Sequence, residues 1–157
     1  MVSQLHHRGP DDRGYWYSDR VALGHTRLSI IDLNTGSQPM VDKGGLVIVF
    51  NGEIYNYREI RRRLVGLGAV FQTESDTEVI LQAYKVWGEE CVHQLDGMFA
   101  FAVWDTKSEK VYLVRDFAGI KPLYYFHDGN RFIFSSEIKA ILSIPDFNKK
   151  VDEKIFD

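Results

Sequence analysis

Asn51 and Gly52 lie where an apolar run, residues 46–50, gives way to polar residues. A side-chain amide beside the backbone N–H of a glycine forms a donor pair of the kind that stabilises an oxyanion in acyl transfer. A glycine also allows close approach of a substrate carbonyl to the backbone. An ordinary strand-to-helix turn explains the same two residue types, because Asn and Gly are common turn formers. The pair alone leaves both interpretations open.

Two charged residues suit the two ends of a free amino acid. Arg27 stands among the apolar residues of segment 24–30, where a guanidinium could hold an α-carboxylate through two parallel hydrogen bonds. A surface arginine on a strand is the alternative. Asp76 falls in the first turn of a predicted helix, where the helix dipole alone explains a carboxylate. Its alternative role is to pair with a substrate ammonium group.

The histidines and the single cysteine predict neither a metal site nor a nucleophile. His6 and His7 are adjacent on an irregular segment that continues into Gly9-Pro10, and this spacing matches none of the common zinc patterns. Cys91, the only cysteine, has acidic neighbours that raise a thiol pKa, so we expect a buried structural residue. A lone cysteine also excludes an internal disulfide.

The composition indicates one compact domain. The 157 residues carry a net charge of −3 from 19 basic and 22 acidic side chains, with no basic stripe, so a nucleic-acid partner is not expected. Because no apolar run is long enough to cross a bilayer, a membrane partner is not expected either, and we expect a cytoplasmic setting.

The pattern of apolar residues predicts the elements that would position these side chains. Strands are predicted at 14–18, 21–23, 27–31, 46–50, 98–104, 110–114, 123–126 and 131–134. One helix is predicted to follow Asn56 as N-cap, a second to begin with a capping box formed by Ser75 and Glu78, and a short third to cover 136–142. Strand clusters separated by helices indicate an α+β class with stacked antiparallel sheets.

Several motifs resemble, in residue identity and in order along the chain, those of the N-terminal domain of glutamine-dependent asparagine synthetases. That family belongs to the class II glutamine amidotransferases, which have the N-terminal nucleophile hydrolase fold. The motifs are His7-Arg8-Gly9-Pro10-Asp11-Asp12, Leu23-Gly24-His25-Thr26-Arg27-Leu28-Ser29-Ile30-Ile31-Asp32, Gln38-Pro39-Met40, Phe50-Asn51-Gly52-Glu53-Ile54-Tyr55-Asn56, Ser75-Asp76-Thr77-Glu78, Leu95-Asp96-Gly97-Met98-Phe99-Ala100-Phe101 and Gly119-Ile120-Lys121-Pro122-Leu123-Tyr124. The resemblance implies a four-layer αββα sandwich of two antiparallel sheets flanked by helices. It covers residues 1–157 as one amidotransferase domain.

The resemblance also implies roles for individual residues in binding L-glutamine. Arg27 would grip the α-carboxylate with the backbone of Ile30 nearby, and Asn51 and Gly52 would form the oxyanion hole. Glu53 and Asp76 would hold the amino end. The ammonia released would pass to a synthetase domain, where ATP and Mg activate aspartate. The resemblance implies no metal or cofactor in this chain itself.

The sequence departs from the family at two places. The family's nucleophile, an N-terminal cysteine on the first strand, has no counterpart here, and Cys91 aligns with no catalytic position. We therefore expect the chain alone to be inactive, and we expect a missing first strand to leave sheet groups unpaired, with a homodimer as one outcome. In segment 115–119, Phe117 and Ala118 precede Gly119 where the family usually has arginine and phenylalanine, so the local packing there is expected to differ.

Two other functions fit the same residues. A non-catalytic module that senses glutamine through Arg27 and Asp76 needs no nucleophile. An amidotransferase domain of a related enzyme that modifies a sugar or a secondary metabolite would share the same pocket. Glutamine binding without turnover would favour the sensor.

Overall fold

The computed structural model describes residues 1–28, 36–147 and 149. In chain order its elements are a 3₁₀ helix (Val2–Arg8), β1 (Asp12–Tyr17), β2 (Ala22–Arg27), β3 (Met40–Val41), β4 (Leu46–Ile54), α1 (Tyr57–Gly66), α2 (Asp76–Trp87), a second 3₁₀ helix (Gly88–Gln94), β5 (Gly97–Asp105), β6 (Lys110–Arg115), β7 (Tyr124–His127), β8 (Phe132–Ser135) and α3 (Ile138–Leu142).

A four-stranded antiparallel sheet, in the order β3-β4-β5-β6, forms the centre of the domain. β4 and β5 pair along their whole lengths, from Leu46 opposite Asp105 to Ile54 opposite Gly97. Residues 46–50 of β4 and 99–104 of β5 are apolar and buried on both faces, which is the composition of strands that are covered on both sides. The sheet therefore needs a packing layer on each face.

Helices α1 and α2 cover one face. Ile60 and Leu64 of α1 and Ile80 of α2 are fully buried and pack in one cluster with Ile48 and Phe101 of the sheet. The helical spacing of these residues gives each helix one apolar stripe, which must be buried against another element.

The other face packs against two β-hairpins. Val47, Val49 and Trp104 point to this side because alternate strand residues face opposite ways, and they cluster with Leu23 of β2 and with Phe134 of β8. The short helix α3 lies outside, against β8 and the first 3₁₀ helix. From one side to the other, the layers are the helices α1 and α2, the four-stranded sheet, the two hairpins and α3. This order confirms the α+β class and the layered architecture.

The second strand layer consists of two separate hairpins in the described chain. β1 pairs with β2 and β7 pairs with β8, and no ladder among the described residues joins the two pairs. A cavity of about 540 Å³ lies between them, which we call the hairpin cleft. Leu23 and His25 of β2, Val49 of the central sheet, and Phe132 and Phe134 of β8 line it.

Several strands differ from the sequence predictions. β4 was predicted to end at Phe50 but continues to Ile54, because pairing with β5 extends through the polar residues. The strand predicted at 27–31 is wrong where it is described: Arg27 ends β2 and Leu28 lies outside any strand. The rest of that prediction falls outside the described residues. β3 was not predicted, because two residues carry no readable alternation.

The helix ends also differ in detail. Asn56 lies at the N-cap of α1 but makes no capping bond; its side chain instead donates to Gln94 O at 2.9 Å and accepts from Asp96 N at 3.0 Å. Ser75 caps α2 by accepting from Thr77 N, as expected of an N-cap. The predicted capping box is wrong, because the Glu78 carboxylate accepts from the backbone of the preceding loop rather than from Ser75.

Candidate functional site

Residues that the sequence singled out meet in one cavity of about 430 Å³, which we call the site cavity. It lies where the end of β2, the polar half of β4 and the start of α2 come together. Its lining includes Arg27, Asn51, Gly52, Glu53 and Asp76. Ile30, the sixth residue assigned to substrate binding, lies outside the described residues. The structure thus brings the other five residues together, and the role of each one is a proposal.

Asn51 contributes an unused hydrogen-bond donor. Its Nδ2 is buried and has no hydrogen-bond partner among the described residues. A buried donor without a partner costs about 1–3 kcal/mol, so native folds rarely keep one without a reason. The side chain projects from β4, whose backbone is paired with β5 at this level, with Asn51 opposite Ala100. The rigid strand therefore holds a free amide beside the cavity.

Gly52 follows on the same strand, where the neighbouring backbone leaves no room for a side chain. A Cβ at this position would lie 2.2 Å from Met98 O and 2.7 Å from the Phe99 Cα, and the backbone φ is +155°. Such contacts exclude any residue except glycine unless β5 moves. The close approach of the two strands explains why glycine occupies a strand interior, where it otherwise weakens the ladder.

Arg27 is one of three cationic residues that line the cavity, with Arg8 and Lys121. The residue is 8% exposed and ends β2, and its carbonyl accepts from Asp11 N at 3.1 Å. His25, two residues earlier, also lines the cavity. Burial, and next the charge of Arg27, lower the pKa of His25 to about 4, while Asp12 opposes the shift. His25 is therefore neutral at pH 7, and the positive charge on this wall belongs to arginine.

Asp76 forms the anionic part together with Glu53. Asp76 is 5% exposed, begins α2, and accepts from Ile54 N at 3.1 Å through Oδ2. Burial raises the pKa of Asp76, hydrogen bonds from the Ile54 and Thr77 backbone lower it, and the charge of Glu53 raises it further, with a net upward shift. A cation between these carboxylates would relieve both the desolvation and the repulsion.

Gln38, Met98 and Lys121 are among the lining residues to which the sequence assigned no role. Each belongs to a motif quoted for the resemblance, which was the available signal. Gln38 was missed because glutamine has no charge and its neighbours predict only a turn. Lys121 was missed because the turn that carries it approaches β5 only through tertiary contacts.

The turn that carries Lys121 is fixed by Asp116. Its carboxylate accepts from Phe99 N, Ile120 N and Lys121 N at 2.9 to 3.1 Å. Burial opposes the charge of Asp116, but these backbone donors outweigh it and lower the pKa. The departure from the family at 115–119 leaves Phe117 fully exposed, while the backbone of the turn stays tied to β5.

The remaining candidates from the sequence lie elsewhere or have other partners. His7 Nε2 lies 2.8 Å from Glu137 Oε1, and within 1–28, 36–147 and 149 no group of three metal-binding side chains assembles. Cys91 is fully buried in the second 3₁₀ helix, where burial raises its pKa to about 12, and it does not line the site cavity. No helix in the described chain is both long and apolar enough to cross a bilayer.

Comparison with known proteins places the chain in a family. The model of the glutamine amidotransferase domain matches residues 1–157, and the chain belongs to that family. Among solved structures, the glutamine phosphoribosylpyrophosphate amidotransferase of B. subtilis, in complex with ADP and GMP, is similar with a TM-score of 0.61 at 27% identity, covering 76% of this chain and 28% of that one. This likeness confirms the N-terminal nucleophile hydrolase fold.

Within the family, the chain matches the amidotransferase domains of asparagine synthetases. It is 46% identical over 155 residues to the glutamine-hydrolyzing asparagine synthetase 3 of Bacillus subtilis (strain 168), which covers 97% of this chain and 25% of the relative. It is 41% identical over 170 residues to the putative glutamine-hydrolyzing asparagine synthetase 2 of Methanocaldococcus jannaschii, covering 96% of this chain and 32% of that protein. The chain thus spans about a quarter to a third of the length of these relatives.

Proposed function

We propose that this domain binds L-glutamine and holds its side-chain carbonyl against Asn51 and Gly52, so that ammonia is released for a synthetase domain. The observation that carries the proposal is the buried Asn51 Nδ2 without a partner, in the same cavity as Arg27 and Asp76. An unused donor on a rigid strand is what stabilisation of a developing oxyanion requires, because no reorganisation is needed when the charge appears.

The charges of the cavity suit a free α-amino acid. Arg27 binds the α-carboxylate through its planar guanidinium. Asp76 and Glu53 bind the ammonium group, which neutralises a carboxylate whose pKa burial has raised. The uncharged carboxamide then extends toward Asn51 and Gly52. A substrate with a side-chain carboxylate in place of the carboxamide would bind less well, since the negative charges of Asp76 and Glu53 would repel it.

The chemistry follows the family's reaction. By resemblance, the α-amine of an N-terminal cysteine takes the proton of its own thiol, and the sulfur attacks the carboxamide carbon. The tetrahedral oxyanion collapses as the C–N bond breaks, and the nitrogen takes that proton and leaves as ammonia. Water then hydrolyses the glutamyl thioester to glutamate. Asn51 and Gly52 stabilise the oxyanion, and removal of one such donor typically lowers kcat by about 10²–10³. The described residues supply binding and charge stabilisation, while Cys91 lies outside the cavity.

The ammonia would serve the amidation of aspartate. Two relatives that this chain matches along nearly its whole length are named as glutamine-hydrolyzing asparagine synthetases. In the parent protein, ATP and Mg would belong to the synthetase domain, which is the partner of this one. No residue of the site cavity needs a metal for the role assigned to it.

Substitution of Asn51 by leucine tests the proposal with two measurements. Asn51→Leu removes the unpartnered donor at similar volume, so the free energy of unfolding in urea should stay the same or rise by about 1 kcal/mol. The Kd for L-glutamine, measured by calorimetry, should rise about five- to tenfold, as expected for one lost hydrogen bond.

Asn56→Leu is the matched control. Asn56 bonds to Gln94 O and Asp96 N, so its loss should lower stability by about 1–3 kcal/mol and leave glutamine affinity intact. Failure of the native chain to bind glutamine would overturn the proposal. So would an Asn51→Leu variant that loses stability but keeps its affinity.

A glutamine sensor is the second candidate, because Arg27 and Asp76 need no nucleophile to bind an amino acid. Cys91 is buried away from the site cavity. An assay for ammonia on the parent protein that carries the synthetase domain separates the two functions, because the chain alone is expected to release none under either. Binding with release of ammonia supports the amidotransferase, and saturable binding without release supports the sensor.

A further inference from the structure

Gln38 joins the two elements that carry the ends of the proposed substrate site. The side chain is buried, with the residue 8% exposed, and it lines the site cavity. Its Oε1 accepts from Phe50 N on β4 at 2.6 Å, and its Nε2 donates to Thr77 Oγ1 on α2 at 3.3 Å. One uncharged side chain thus bridges a strand and a helix in the cavity wall.

The register of the sheet explains why a side chain makes this bond. β3 pairs with β4 so that Met40 lies opposite Ile48, and the same register would bring Gln38 opposite Phe50. The main-chain oxygen of Gln38 lies instead against Gly14 of β1, where a Cβ would be 1.8 Å from it. The amide oxygen of the side chain therefore takes the place of a backbone acceptor for Phe50 N.

The two contacts of Gln38 flank the residues proposed to bind glutamine. Phe50 immediately precedes Asn51, and Thr77 immediately follows Asp76. The hydrogen bond from Ile54 N to Asp76 Oδ2 is a second tie between β4 and α2, at the far end of the same strand segment. Together the two ties fix the separation of the Asn51 amide from the Asp76 carboxylate.

We propose that Gln38 is a positioning residue that sets the length of amino acid accepted by the site. The inference rests on the proposed function. An amino acid whose ammonium group is held at Asp76 must reach Asn51 with its side-chain carbonyl. Glutamine and asparagine differ by one carbon–carbon bond of about 1.5 Å, so selection requires a separation that is fixed more closely than that. A discrimination of about 10- to 200-fold is what one methylene allows.

The inference distinguishes Gln38 from a residue that only supports the fold. Loss of a purely structural contact would weaken the binding of both amino acids by the same factor. Loss of a positioning residue would weaken glutamine binding and leave asparagine binding unchanged. It would also remove the contact between Asn51 and the side-chain carbonyl of glutamine. The ratio of the two affinities is therefore the readout.

The experiment compares three variants of the whole chain by calorimetric titration with L-glutamine and L-asparagine. Gln38→Met removes both polar atoms at similar length. We expect the ratio of the Kd for asparagine to the Kd for glutamine to fall about tenfold or more toward unity. Thr77→Val removes one arm only and should give a smaller fall in the same direction. Gln82→Met makes the same replacement at a buried glutamine of α2 that does not line the cavity, and the ratio should not change.

The side-chain amide signals of Asn51 provide the second measurement, by ¹H–¹⁵N NMR with the signals assigned from Asn51→Leu. At saturating glutamine these signals should shift in the native chain and in Gln82→Met, and should remain unshifted in Gln38→Met. Equal losses of affinity for both amino acids, or an Asn51 shift that survives in Gln38→Met, would overturn the inference alone. Absence of glutamine binding by the native chain would overturn the proposed function and this inference with it.

Discussion

At the scale of single residues, the site is marked by groups that the fold leaves in unfavourable states. Asn51 keeps a buried donor without a partner, and Asp76 is buried beside another carboxylate. Both conditions reduce stability, and a bound amino acid would improve both at once. Residues that violate local rules in this way are where function is expected to outweigh stability.

The pKa of Asp76 gives the binding site a predictable response to pH. Burial, together with the charge of Glu53, places this pKa above the ordinary aspartate value of 3.8. Only the ionised carboxylate attracts an ammonium group. Glutamine affinity should therefore be constant above the raised pKa and should fall as the pH decreases through it.

Calorimetry between pH 7 and pH 4 would measure this response, with Glu53→Gln as the informative variant. Loss of the Glu53 charge should lower the pKa of Asp76, so the fall in affinity should move to lower pH. Asp76→Asn should bind weakly at every pH. An unchanged profile in Glu53→Gln would show that the two carboxylates do not interact.

At the scale of elements, the contact between β4 and β5 determines where the polar residues lie. Gly52 is opposite Phe99, and its Cα lies close to the backbone of Met98. Gly52→Ala should therefore push the strands apart and lower the free energy of unfolding by about 2 kcal/mol or more, as overpacking typically does. Urea denaturation would measure the loss.

Gly66→Ala is the control for this substitution. Gly66 ends α1, and a Cβ there would meet nothing within 4 Å. The change should raise stability by about 0.5–1 kcal/mol, because alanine is the better helix former. A Gly52→Ala variant as stable as native would mean that β5 yields easily to the extra methyl group.

The comparison of sequence with structure shows which elements periodicity can locate. α1, α2, β5 and β6 were placed to within a few residues, since each has a long apolar pattern. β3 was missed because two residues show no alternation, and the second 3₁₀ helix was missed because its sequence has no apolar stripe at helical spacing. The continuation of β4 through Asn51 and Glu53 was missed as well. These polar residues stay in the strand because they pair with β5, and that pairing cannot be read from local sequence.

The site was predictable to a similar degree. Five residues were assigned from their types and from the resemblance of their motifs, and the structure brings them to one cavity: Arg27, Asn51, Gly52, Glu53 and Asp76. Gln38 could not be assigned a contact from the sequence, because its partners Phe50 and Thr77 lie 12 and 39 residues away. Contacts of that range are set by the packing of α2 on the sheet.

At the scale of the whole molecule, the hairpin cleft is the incomplete part of the layered fold. β2 pairs only with β1 and β8 only with β7 among the described strands, and Phe132 is exposed in the cleft. Strand edges beside an apolar surface favour pairing with another chain. We expect the chain to self-associate as its concentration rises, which size-exclusion chromatography would detect.

Two exposed phenylalanines make a matched pair for this test. Phe132→Lys places a charge in the cleft and should shift the protein toward monomer. Phe117→Lys makes the same change of charge on the turn after β6, outside the cleft, and should not affect the elution volume. A native chain that stays monomeric at high concentration would contradict the expectation.

The hairpin cleft and the site cavity share part of their walls, including His25, Thr26 and Asn51. A segment that settles in the cleft must touch side chains that also face the amino acid. If one occupant changes the affinity for the other, linkage requires the reverse effect to have the same factor. A peptide bound on the far side of this shared wall would act as an effector of glutamine binding.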